Sequence, residues 1–280
     1  MAQSSAGRRP QKPRLGQNFL VSPTAPRAIV DALGELGGAT VLEIGPGRGA
    51  ITRLLAERSR HLIAVELDRE LAESLKRELA GGGQAKVEVL REDILRTNLT
   101  ALSAQAGVRL HVVGNLPYYI TSDILLHLFA HHAAIEKAVL MVQREVADRI
   151  VADPGSRDYG LLSATTQMYA RAERLFTLPP GAFSPPPQVH STVFRLTIQP
   201  RFAELAAGET AFLRFLRQVF AQKRKTLANN LRAAGYDAAG VQAALEKCGI
   251  APAIRAEACS LETMACLFRA LEERSAAASR

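Results

Sequence analysis

Between Thr40 and Val142, short β-branched runs alternate with amphipathic stretches, a pattern that points to a parallel α/β sheet. The predicted strands are residues 41–44, 62–66, 87–90, 110–113 and 138–142. Between them, residues 51–57, 70–79 and 124–129 carry apolar side chains at helical spacing, so each covers one face of the sheet. The fold class is therefore α/β, doubly wound and Rossmann-like. Its ligand belongs at the carboxyl ends of the strands, where Gly45 to Gly49, Glu66 to Asp68, Asp93 and Asn115 to Tyr118 converge.

After Gly160 the pattern changes. Residues 168–178 and 189–198 read as extended segments joined by a proline-rich turn at 179–187, which predicts an antiparallel edge to the sheet. From Glu209 onward there are only helical patterns, at 210–221, 226–233, 238–248 and 261–273, and these predict a small all-helical C-terminal domain. With 280 residues, the chain suits one large domain carrying a smaller one. We divide it into a basic tail (1–13), a main domain (14–203) and a helical domain (204–280). Gly81-Gly82-Gly83 reads as a helix-ending loop.

Composition narrows the function classes. The chain is 48% hydrophobic and 22% charged, which supports a sizeable core and excludes wholesale disorder. No uninterrupted apolar run approaches the roughly 20 residues that cross a bilayer. Against 27 acidic residues stand 35 Lys and Arg, a net charge of +8 that favours a polyanionic partner. Arg8, Arg9, Lys12, Arg14 and Arg27 occur in a first segment free of acids, and Lys223-Arg224-Lys225 forms a second cluster. No apolar stretch follows the first charges, which argues against a secretory signal. Cys248, Cys259 and Cys266 match neither a CxxC pair nor a disulfide framework, and no spaced histidine stands beside them. They read as small buried apolar residues in a reducing compartment, the cytoplasm, with no metal implied.

Glu43-Ile44-Gly45-Pro46-Gly47-Arg48-Gly49 follows a strand and opens a helix, so a ligand can approach bare backbone there. Such a turn alone is a weak signal. Glu66, 21 residues beyond Gly45, ends the next strand, where a carboxylate can accept hydrogen bonds from both hydroxyls of a ribose. A dinucleotide and S-adenosylmethionine both fit that pair. The spacing lacks the final glycine of the dinucleotide fingerprint, which makes an NAD enzyme the weaker alternative: a pyrophosphate needs that helix start, whereas a methionine tail does not. Asp93, after the third strand, is placed to accept from an adenine amino group, although an Asp there is equally a helix N-cap.

Asn115-Leu116-Pro117-Tyr118 is the most specific short motif. An exocyclic amine on a nucleobase is a poor nucleophile because its lone pair is delocalised into the ring. Catalysis must orient that amine and favour the pyramidal, positively charged nitrogen that develops during attack. The Asn115 side-chain oxygen and the Leu116 carbonyl, stiffened by Pro117, supply two acceptors for its hydrogens without a strong base. Tyr118 suits stacking on an extruded base, and a buried tyrosine after a proline turn is its plain alternative. Phe183, in Phe183-Ser184-Pro185-Pro186-Pro187-Gln188-Val189, reads on its own as a core residue.

The combination of Leu15-Gly16-Gln17-Asn18-Phe19-Leu20, Glu43 to Gly49, Glu66, Asp93, Asn115 to Tyr118, Phe183 to Val189 and Gln222-Lys223-Arg224-Lys225-Thr226-Leu227 resembles the small-subunit (16S) rRNA adenine dimethyltransferases, the KsgA or dimethyladenosine transferase family. The resemblance implies a class I S-adenosylmethionine-dependent methyltransferase domain with a helical C-terminal domain. It implies formation of N6,N6-dimethyladenosine at two adjacent adenosines near the rRNA 3′ end, with the small ribosomal subunit or its assembly intermediate as partner and no oligomer required. Asn18 and Leu20 would contact the methionine end of the cofactor, Gly45 would line its pocket, Glu66 would hold the ribose and Asp93 the adenine. Asn115 would bridge cofactor and target base, with Tyr118 and Phe183 flanking that base. Arg14, Lys223, Arg224 and Lys225 are the candidate rRNA contacts. His190 stands where the family commonly has Asp, a change expected to alter only a loop contact. A sister family that methylates a large-subunit rRNA adenine and confers macrolide resistance shares the cofactor motifs, and a catalytically idle assembly factor is a third reading. The stretches at 183–189 and 223–227 favour the small-subunit enzymes, and intact Asn115 and Pro117 favour catalysis.

Overall fold

The computed structural model describes residues 18–80 and 86–278. The basic tail with Arg14, the motif residues up to Gln17 and the Gly81 to Gly83 run lie outside the described residues. The strands are β1 (Phe19–Leu20), β2 (Thr40–Ile44), β3 (His61–Glu66), β4 (Lys86–Arg91), β5 (Leu110–Asn115), β6 (Ile135–Gln143), β7 (Ala170–Leu178), β8 (Phe183–Ser184) and β9 (Ser191–Ile198). The first seven helices are α1 (Ala25–Asp31), α2 (Thr52–Arg58), α3 (Arg69–Leu79), α4 (Leu99–Ala106), α5 (Thr121–Ala130), α6 (Arg144–Ile150) and α7 (Leu161–Tyr169). Five more follow: α8 (Phe202–Leu205), α9 (Glu209–Val219), α10 (Leu227–Ala233), α11 (Ala238–Lys247) and α12 (Leu261–Ala278).

Seven strands form one sheet in the order β4-β3-β2-β5-β6-β9-β7. The first five are parallel, while β9 runs antiparallel to β6 and β7 antiparallel to β9. From β2 the chain builds outward to β4, then returns to place β5 on the other side of β2. The order thus reverses between β2 and β5, where a doubly wound sheet opens a crevice for its ligand. Helices cover both faces, which is why β2 is buried along its whole length and reads as an apolar run broken only by Thr40 and Glu43.

One core cluster packs Leu42, Ile44, Val112 and Leu140 on one face of the sheet and runs without a break into Phe212, Phe215 and Phe268 of the C-terminal helices. The other face packs Val41, Val113 and Val139 against α1, α2 and Phe183. At the seam between sheet and helical segment, Tyr169 stacks on Phe129 with ring centroids 4.9 Å apart and meets Phe202 edge-on at 5.2 Å. Its hydroxyl donates to Glu209 Oε1 at 2.8 Å.

Three expectations need correction. Met168 and Tyr169 end α7 instead of opening a strand, and β9 starts at Ser191 instead of Val189, because β9 takes its register from Gln143 and Leu178. The proline-rich turn contains a short strand, β8, that pairs antiparallel with β1. Cys248 and Cys266 form a disulfide: α11 and α12 lie side by side and bring their Cα atoms to 6.1 Å. Only Cys259 among the three is a free buried thiol. Linear spacing conceals such a pair because the connection between the two helices folds back.

Candidate active site

A cleft opens at the carboxyl ends of β2, β3, β4 and β5, lined by Asn18, Leu20, Gly45, Glu66, Asp93 and the Asn115 to Tyr118 turn. Nine expected site residues therefore meet in one place. Gly45 has φ +64°, and a Cβ built on it meets nothing within 4 Å, so bare backbone faces open space there. At Gly47, by contrast, a Cβ would come within 3.2 Å of the Phe19 ring. Phe19 in turn carries the Arg48 guanidinium 4.3 Å above its centroid. The segment from Asn18 to Ser22 is strapped over the loop by the β1–β8 pairing and by Val21 N and Ser22 N, which donate to Ala182 O at 2.8 and 3.1 Å.

Glu66 is 4% exposed, and each of its carboxylate oxygens accepts one backbone N–H: Oε2 from Gly47 at 3.0 Å and Oε1 from Asp68 at 2.9 Å. These bonds join the β2 and β3 loops and fix the carboxylate, and each oxygen keeps a lone pair for a ribose hydroxyl. Of the two readings of Asp93, the structure shows the cap. Its Oδ1 caps a short turn by accepting from Leu95 N at 3.0 Å, and the residue lines the cleft.

Asn115 Nδ2 donates to the Asn18 carbonyl at 3.1 Å, which fixes the amide and leaves Oδ1 as its acceptor. Leu116 N donates to Met141 O at 2.9 Å and anchors the end of β5. The Pro117 carbonyl accepts from Thr121 Oγ1 at 3.0 Å and from Ile120 N at 3.3 Å, closing the turn that starts α5. Tyr118 and Ser191 share a hydrogen bond of 3.0 Å between their hydroxyls, which ties the turn to the start of β9.

Phe183 is not in the cleft wall. It is 3% exposed and packs with Val113, Met141 and Val193, opposite Leu20 in the β1–β8 register. Its unaided reading as a core residue describes its position. Lys223, Arg224 and Lys225 are exposed in the loop between α9 and α10, apart from the cleft. Buried Asn230 shapes that loop: Nδ2 donates to Val219 O (2.8 Å) and Gln222 O (3.2 Å), and Oδ1 accepts from Gln222 N (3.2 Å). The Lys223 ammonium reaches the Arg157 carbonyl at 3.5 Å.

Sequence reasoning assigned no role to three residues that matter here. Tyr119, 60% exposed, is a second aromatic on the cleft wall. Gly114 sits opposite Ile44, and a Cβ there would lie 2.9 Å from the Ile44 carbonyl oxygen. Glu43 is a carboxyl within a buried strand, 2% exposed, and burial, partly offset by the neighbouring Thr52 hydroxyl and reinforced by repulsion from Glu66, pushes it up to about 8. Its Oε2 is buried without a hydrogen-bond partner. The signal was present in the sequence, as a lone acid in an apolar parallel strand.

A bare-backbone cradle at Gly45, a carboxylate fixed by two backbone N–H groups at Glu66 and a lining rich in carboxylates and poor in cations fit S-adenosylmethionine, a ligand with a cationic centre and no phosphate. Fold and cleft together define a class I S-adenosylmethionine-dependent methyltransferase. A profile of the family described as ribosomal RNA adenine dimethylase matches residues 8–273. The chain belongs to that family. A ribosomal RNA small subunit methyltransferase A of Acidobacterium capsulatum is 61% identical over 264 residues, covering 94% of this chain and 92% of the relative. The protein of the same name from Koribacter versatilis is 50% identical over 98% of this chain and 99% of its own length. Among solved structures, the 23S rRNA methyltransferase ErmE superposes with a TM-score of 0.70 at 26% identity, over 91% of this chain and 100% of its own. A dimethyladenosine transferase from Plasmodium falciparum shares the fold, with a TM-score of 0.79 at 21% identity over 92% and 98% of the two chains.

Proposed function

We propose that this chain dimethylates the N6 amines of two adjacent adenosines near the 3′ end of small-subunit (16S) rRNA during ribosome biogenesis, acting in the cytoplasm on the small ribosomal subunit or its assembly intermediate. The observation that carries the chemistry is the fixed Asn115 amide. With Nδ2 committed to the Asn18 carbonyl, Oδ1 is left to accept a hydrogen from the target amine. The Leu116 carbonyl takes the second hydrogen, and together they turn the nitrogen lone pair out of conjugation with the ring. As positive charge develops on nitrogen these two acceptors hold it more strongly than they held the neutral amine, which is the differential binding that lowers the barrier. When bound, S-adenosylmethionine supplies the electrophilic methyl group.

Glu66 is assigned to the ribose, Asp93 to the cofactor adenine, Gly45, Asn18 and Leu20 to the methionine end, and Tyr118 to the face of the target base. Phe183, paired with Leu20 across the β1–β8 ribbon, supports the methionine end from the core. Residues 14–203 are assigned to methyl transfer. Residues 204–280, with Lys223, Arg224 and Lys225, are assigned to rRNA phosphates, together with Arg14. The names of the 61% and 50% identical relatives support the small-subunit substrate over the large-subunit one.

Mass-spectrometric mapping of methylated adenines, after separate incubation with each ribosomal subunit, tests the substrate. Two dimethyladenosines in small-subunit rRNA are expected, and methylation of the large subunit alone would overturn the assignment. Asn115→Ala is expected to slow single-turnover methyl transfer by about 10²–10³-fold, the range for removing one preorganised hydrogen-bonding group, with rRNA binding retained. A near-wild-type rate would remove Asn115 from the mechanism.

A further inference from the structure

Glu43 takes no part in the mechanism above, yet it is the most anomalous group in the cleft wall. It lies on β2 between Ala64 of β3 and Val113 of β5, two residues before Gly45. Its Oε2 has no hydrogen-bond partner, and neither has the buried Thr52 Oγ1 at the start of α2. A buried charged carboxylate with an unpaired oxygen is costly, so burial favours the acid form unless a cation stands nearby. The charged groups around it are unbalanced. β3 contributes Glu66, the rim contributes Asp68, Glu92 and Asp93, and among the described residues Arg48 is the one cation lining the cleft. β5 contributes only Val113 and Asn115, and α2 the neutral Thr52.

A cationic ligand reverses that balance, because an opposite charge within a few ångströms favours the ionised carboxyl. Both S-adenosylmethionine and its product S-adenosylhomocysteine carry one ammonium and one carboxylate at the amino-acid end, so the charge by which they differ is the sulfonium, which becomes a neutral thioether in the product. We propose that Glu43 is the charge sensor of the cleft: its buried carboxyl gives its proton to solvent when the sulfonium cofactor binds and takes one back when the thioether replaces it. This proton equilibrium biases binding toward the substrate cofactor as pH rises, with no contact to the transferred methyl group. A group that titrates at about 8 is poised for this at working pH. The inference rests on the cofactor assignment.

Isothermal calorimetry on the full chain, in phosphate and in Tris buffer from about pH 6 to about pH 9, reads the protons released. Wild-type protein is expected to release protons on binding S-adenosylmethionine, with affinity rising with pH by up to about tenfold per unit below the Glu43 titration. S-adenosylhomocysteine should release far fewer and change its affinity by no more than about twofold. Glu43→Gln should remove the difference. Equal proton release for the two ligands in wild-type protein overturns the proposal without any variant, as does a Gln variant that binds and still releases protons on sulfonium binding. Failure of both ligands to bind would instead overturn the cofactor assignment beneath it.

Discussion

At the scale of single residues, the cleft shows how one fold treats two neighbouring carboxylates in opposite ways. Glu66 and Glu43 lie on adjacent strands and are almost equally buried. Glu66 receives two backbone N–H bonds that compensate its charge, whereas Glu43 Oε2 receives none. The difference has a stability consequence. Folded, the Glu43 carboxyl titrates at about 8, and unfolded near the ordinary 4.5. Between those values the unfolded chain binds fewer protons than the native one, so stability falls as pH rises, at up to about 1.4 kcal/mol per unit. The loss begins above about 4.5 and is complete above about 8. Glu43→Gln cannot ionise and nearly keeps the size and shape of the carboxyl. Its melting temperature without ligand should therefore match wild type in acid and exceed it increasingly up to about pH 8, with a constant gap beyond. Scanning calorimetry across that range checks this, and a gap independent of pH would show that Glu43 stays ionised in the fold.

At the scale of elements, what was legible in the sequence followed from periodicity and turn chemistry. Five parallel strands, the antiparallel edge and the C-terminal helices were all readable because buried strands and amphipathic helices have different periods. The cleft was readable too, since its residues come in short contiguous motifs at strand ends. What stayed hidden depends on pairing between distant segments. The β1–β8 ribbon joins residues more than 160 apart and involves two residues on each side, too short to show a period. The Cys248–Cys266 bond and the packed position of Phe183 follow from tertiary contacts in the same way. Gly114 is an instance with a testable consequence. Nothing in its neighbourhood marks it, but β5 passes so close to β2 that a Cβ would collide with the Ile44 backbone, which cannot yield as a flexible side chain can. Gly114→Ala should cost about 1–3 kcal/mol of stability through overpacking. Because Asn115 is the next residue, the variant should also lose most methyl transfer at temperatures where it remains folded. Parallel denaturation and single-turnover measurements check this; an unchanged rate would mean that the strand end absorbs the shift without moving the amide.

At the scale of the whole molecule, the catalytic cleft and the basic loop are parts of one packed body. The core runs from the sheet through Tyr169 and Phe202 into α9 and α12, so the α9–α10 loop is held at a set position relative to the cleft. Two anchors reinforce it: the buried Asn230 amide, which bonds Val219 and Gln222, and the Lys223 contact to the segment around Arg157. That segment is itself clamped by Gly155 N, which donates to Glu257 O at 2.7 Å, and by buried Tyr159 against Phe220. Among the described residues, no ion pair engages Lys223, Arg224 or Lys225. Three exposed cations on a fixed loop suit phosphates, which position a nucleic acid without reading its bases. Replacing all three by Gln should weaken subunit binding and lower the salt slope by about 0.7–0.9 for each phosphate left unneutralised, while the rate at saturating substrate and the methylated position stay the same. The loop's rigidity makes a second variant informative. Asn230→Ala keeps every charge but leaves Val219 O and Gln222 unpaired, so it should weaken binding without flattening the salt slope as far as the triple variant does. Filter binding across a salt series separates the two effects. An unchanged slope in the triple variant would move the rRNA interface to another face of the molecule.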